Sequence, residues 1–173
     1  MVAAVIGTVL IAIIGYLSQI AVLPALGMVV VAPNIILAMT IVFAMIYGPW
    51  TALAMGFVGG MMVDFMAGGA LGLSAFIPVV SGFLIGFFKR EINSTHFAWA
   101  MIFAAVLSIV NDIWQLMTMY FARIDMAVTW GALFRSLASA VETGIAAGIT
   151  FLLITRLIAI SEKRSGLPYL KRY

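Results

Sequence analysis

Long apolar runs, broken only by short clusters of glycine, proline and charge, make up nearly the whole chain. The breaks fall at Leu-Pro-Ala-Leu-Gly over 23–27, at Gly48-Pro49, at Ala67-Gly68-Gly69, at Lys89-Arg90-Glu91 and at Arg123-Ile124-Asp125. Each is a turn or helix-breaking signal. They divide the chain into six segments, over 2–23, 33–47, 50–66, 71–88, 97–121 and 133–160. The two-residue alternation of a lipid-facing barrel strand is absent, so runs this apolar must satisfy their backbone groups internally, as helices. The pattern predicts an all-α integral membrane protein with six transmembrane helices in one bundle over 1–160, followed by a basic cytoplasmic tail at 161–173. A span takes about 20 residues to cross a hydrocarbon core of about 30 Å, so six spans leave only short connections and no room for a folded soluble domain. The 23–32 connection is itself almost wholly apolar and is expected to lie on the outer membrane face, touch a partner, or begin the second helix slowly.

Composition supports the same class. Of 173 residues, 65% are hydrophobic and 9% charged, where a soluble domain carries about a quarter charged. The charge is unevenly placed: Asp64 stands alone in the first 88 residues, and the other fourteen charges fall in the last 85. A net charge of +3 is too small to suggest a nucleic-acid partner, and the absence of cysteine removes any disulfide framework or thiolate metal site. A cleavable signal peptide would open on a basic stretch, whereas Met1 leads directly into Val2–Leu23, read here as a retained helix.

Orientation follows from the cations. If the helices alternate, Lys89, Arg90, Lys163, Arg164, Lys171 and Arg172 lie on one side and Arg123 and Arg135 on the other. Positive charge marks the cytoplasmic side, so both termini and the 4–5 loop are expected there. Trp50 and Trp99 at the inner ends of segments three and five, with Tyr120 and Trp130 near the outer 5–6 turn, fit interfacial aromatic belts.

Helices in lipid associate through small residues that let backbones approach. Three such motifs occur: Gly56-x-x-x-Gly60, Gly82-x-x-x-Gly86 and Gly144-x-x-x-Gly148. Packing inside one bundle is the first expectation for each, although with three available a contact to another chain, including a homodimer, stays open. The Ala52-Gly56-Gly60 ladder reaches Asp64 after one more turn, which places that carboxylate on the packed face near the outer end of its helix. Arg135 lies at a comparable depth in segment six, and an Asp64–Arg135 pair is expected.

Asp112 and Glu142 each lie about nine residues from the outer end of their segments, which places them at one level about 13–14 Å deep. Ser108, Asn111 and Gln115 accompany Asp112, and Ser139 and Thr143 accompany Glu142. Two readings apply: an interhelical hydrogen-bond cluster, or a proton or cation site. The first is favoured, because transport needs a path and a second conformation that the sequence does not show. The phosphate loop, the dinucleotide-binding glycine pattern and the nucleophile elbow are all missing, and the sole histidine, His96, stands in the inner loop. No enzymatic activity, cofactor or metal is expected. The basic tail reads as an orientation signal, with attraction to anionic headgroups as a second role.

Over residues 33–88 the chain resembles a known family. Pro33-Asn34-Ile-Ile-Leu, Tyr47-Gly48-Pro49, Gly56-Phe57-Val-Gly-Gly60, Asp64, Gly68-Gly69-Ala-Leu71-Gly72-Leu73-x-Ala75 and the Gly82 and Gly86 pair are similar in order and spacing to the bacterial rod-shape-determining membrane protein MreD. Asn111-Asp112 is similar to the acidic position of that family in segment five, while segments one, five and six otherwise match more weakly. The resemblance implies a fold similar to the six-helix substrate-binding subunits of energy-coupling-factor transporters. It also implies a non-enzymatic scaffold of the cell-wall elongation complex in the bacterial cytoplasmic membrane, supporting rod shape and peptidoglycan synthesis. Implied partners are the single-span protein MreC, a glycosyltransferase, a class B penicillin-binding protein and the actin-like MreB inside. By the same analogy Asp64 and the Gly68, Gly69 and Gly72 turn shape the outer end of the bundle, near MreC. The rival expectation is a vitamin-type binding subunit of a transporter, with Asn111, Asp112, Gln115 and Glu142 lining a pocket.

Overall fold

A computed structural model describes residues 13–15, 17, 33–67, 71–89, 96–121 and 130–165, with the side chains at 67, 130, 132 and 161–165 left aside. Five helices are complete within these residues: α1 (Ile35–Tyr47), α2 (Pro49–Ala67), α3 (Leu73–Phe87), α4 (Phe97–Phe121) and α5 (Trp130–Ser165). They correspond to segments two to six. Residues 13–15 and 17, inside segment one, are helical as well. The remainder of segment one, the 23–32 connection, Gly68, Gly69 and the tail from 166 lie outside the described residues. The expected all-helical class holds, with no strand among the described residues. Two stretches, Phe97–Phe121 and Leu133–Ile160, are long and apolar enough to cross a membrane by length and composition.

Local chemistry sets the helix ends. The Asn34 side chain accepts the Leu37 N–H at 3.0 Å and caps α1. At the other end Gly48, with φ of 98°, adopts a conformation open to a residue without Cβ, and its N–H reaches Ala44 O and Phe43 O. Pro49 then opens α2, a position where its missing N–H costs nothing. Both ends of α5 differ from expectation: it begins at Trp130, three residues before the expected 133, and continues to Ser165, beyond the expected 160.

α1 is the centre of the bundle. From Ile36 to Met45 every side chain except Phe43 is buried, and α1 packs against each of α2, α3, α4 and α5. The other four form two antiparallel pairs, α2 with α3 and α4 with α5, and the pairs meet each other more lightly through α3 and α4. Gly15 of the first segment comes against Ile35 and Met39 of α1.

All three glycine motifs are internal interfaces. A Cβ on Gly56 would stand 2.9 Å from the Pro78 carbonyl carbon, and one on Gly60 2.6 Å from the Ala75 nitrogen. On the facing helix, a Cβ on Gly82 would meet Thr40 at 2.6 Å and one on Gly86 would meet the Pro49 nitrogen at 2.6 Å. In the second pair Gly144 faces the Met101 carbonyl oxygen at 3.0 Å and Gly148 faces the Met101 side chain. These contacts take up the motifs within one chain, as expected first.

Candidate functional site: buried polar groups between the helices

Asp64 is 3% exposed and lies on the α2 face that carries Gly56 and Gly60. Its carboxylate accepts two backbone N–H groups at the start of α3. Gly72 N–H donates to Oδ2 at 2.7 Å, and Ser74 N–H reaches Oδ1 at 3.1 Å and Oδ2 at 3.3 Å. The acid thus caps the next helix, where orphan donors and the positive end of the helix dipole favour an anion. Gly72 makes this possible: with φ of 96° it turns the chain left-handed just before α3 and points its own N–H at the carboxylate.

The expected Asp64–Arg135 pair does not form. Arg135 is exposed and turns its Nε back to the Gly131 carbonyl of its own helix at 3.1 Å. Equal depth was the ground for pairing them, and depth does not determine which way a side chain faces around its helix. α2 packs against α3 and α1, whereas Arg135 sits on an outward face of α5.

Asp112 and Glu142 also separate. The antiparallel register of α4 and α5 brings Gly144 against Met101 and Ala105, Ser108 against Thr143, and Ser136 beside Asp112. Glu142 is therefore level with Ser108, roughly 6 Å deeper than Asp112 at 1.5 Å per residue. Asp112 is half-buried between the helices, while Glu142 is exposed and has no hydrogen bond or ion pair among the described residues. The early start of α5 accounts for the misjudged level.

A polar node that sequence reasoning did not assemble joins three helices. Asn34 N–H donates to Thr143 Oγ1 at 2.9 Å, and Thr143 Oγ1 lies 3.4 Å from Ser108 Oγ. Pro33-Asn34 before an apolar run was the available signal, since it marks a helix start. α1, with 13 residues, is only about 20 Å long, and its first turn lies beside the middle of α5. Next to it is a cavity of about 40 Å³ lined in part by Asn34, Ser74, Pro78, Asn111 and Gln115. Pro78 has no N–H, so the Ser74 carbonyl lacks its helical donor there. Asn111, 2% exposed, presents its side-chain amide to this space. The space suits about three water molecules. Trp114 closes the α3–α4 contact nearby, donating Nε1–H to the Leu73 carbonyl at 3.0 Å and stacking on Phe76 at 4.6 Å.

No family model, curated protein or solved structure matches the chain.

Proposed function

We propose that the chain is a non-enzymatic scaffold of the MreD type: six spans in the bacterial cytoplasmic membrane, both termini inside, holding the single-span MreC and other cell-wall elongation proteins. The observation that carries the reading is the use made of buried polar groups. The buried Asp64, Thr143 and Ser108 and the half-buried Asn34 are each engaged at a helix end or between helices, where they fix packing. The outward surface fits lipid and protein neighbours, with Phe57, Phe65, Val106, Val141, Ile149 and Leu153 all at least half exposed. Lys89 lies beside Gly48 at the end of the bundle that the cation count assigns to the cytoplasm. The residues that resemble MreD coincide with α1, α2 and α3, the most closely packed part of the chain.

Depletion of the chain from a rod-shaped host that depends on it tests the reading. Rounding of the cells, reversed by the wild-type chain and accompanied by loss of MreC from the elongation complex, is the expected result. Unchanged shape and an intact complex would overturn it.

A further inference from the structure

We infer that the exposed face of α5 centred on Glu142 is the docking site for a transmembrane helix of a second protein that carries a Lys or Arg at mid-depth. The inference rests on the membrane reading above and names the face that takes the single-span partner. Leu133–Ile160 is the apolar stretch of α5, and Glu142 lies about 7 Å from its midpoint at 1.5 Å per residue. That is inside the hydrocarbon region, which extends about 15 Å either side of the centre. Here a carboxylate turned outward has neither water nor a partner from the described residues. Intramembrane acids in stable proteins face a partner or a wet cavity.

The surroundings say what that partner is. Arg135 and Arg156 lie seven residues before and fourteen after Glu142, all three exposed along one stripe. Seven residues is about 10 Å, too far for either to close an ion pair. Ala138 and Ala146, one turn to each side and half-buried, keep the approach to Glu142 low. A second copy is the poorer occupant, because a parallel two-fold pair would set Glu142 against Glu142 and arginine against arginine. A foreign helix with one basic residue answers the acid without that repulsion.

The full chain, labelled at Ser165→Cys, which is its sole cysteine, would be reconstituted in phosphatidylcholine liposomes. Acceptor-labelled Leu/Ala peptides of about 23 residues, long enough to span, would carry a central Lys, a central Glu or neither. Energy transfer should show the Lys peptide binding about tenfold more tightly than the apolar one, as for a single strong polar contact in lipid. Glu142→Gln should abolish that preference without changing the thermal midpoint, because the side chain is exposed. Equal binding of the Lys and apolar peptides, or preference that survives Glu142→Gln, would overturn the inference while leaving the scaffold reading intact. Self-association lost in Glu142→Gln would transfer the face to a second copy and also overturn it. Failure of the chain to float with the liposomes would overturn the membrane reading itself.

Discussion

The two antiparallel helix pairs are built with the same small-residue device and differ in what the glycines meet. In the α2–α3 pair, Gly56 and Gly60 face the backbone of Ala75, Pro78 and Val79, and Gly86 faces Gly48 and Pro49. In the α4–α5 pair only Gly144 meets backbone, the Met101 carbonyl oxygen, and Gly148 faces the Met101 side chain. Backbone cannot move aside without shifting a helix, whereas an unbranched methionine can adopt another rotamer. The first pair is also closed by the Asp64 cap, which ties the end of α2 to the start of α3. The second keeps its acids apart and leaves one turned outward. The first pair is thus the more rigid of the two and the second the more adaptable.

Substitutions order the two pairs. Gly60→Ala brings a methyl into the Ala75 backbone and should cost about 3 kcal/mol or more, at the upper end of overpacking effects, read as a large fall in the unfolding midpoint in detergent. Asp64→Ala leaves the Gly72 and Ser74 N–H groups without their acceptor and should cost about 2 kcal/mol. Asp64→Asn keeps an acceptor oxygen and should recover about half of that loss. A midpoint for Asp64→Ala equal to wild type would remove the cap from the account.

Smaller effects belong to the other pair. Gly148→Ala should change stability by less than about 1 kcal/mol, because displacement of Met101 is offset by the better helix propensity of alanine. A collapse as severe as that of Gly60→Ala would erase the contrast between the pairs. Arg135→Ala should stay within about 0.5 kcal/mol of wild type, as surface changes do. The double variant with Asp64→Ala should show additive losses, and strong coupling between the two would restore the ion pair.

Much of this was legible in the chain. Glycine, proline and charge located the breaks between α1 and α5 to within a few residues, because those residues act on the local backbone. The i, i+4 ladder correctly placed Asp64 on the packed face. Its partners were not legible, because capping by Gly72 and Ser74 depends on a left-handed turn whose course the spacing does not give. Counting residues from a turn yields depth along a helix but not rotation about it. That is why Arg135 and Asp64 looked paired, and a three-residue difference in where α5 begins moved Glu142 away from Asp112. The Asn34–Thr143–Ser108 node needed the packing of three helices, which no single-segment pattern contains.

Native mass spectrometry after extraction in mild detergent tests the scaffold reading most directly. The account predicts the full chain in complex with a single-span partner, with no small molecule retained. A vitamin-sized ligand bound at unit stoichiometry, in the absence of that partner, would contradict it.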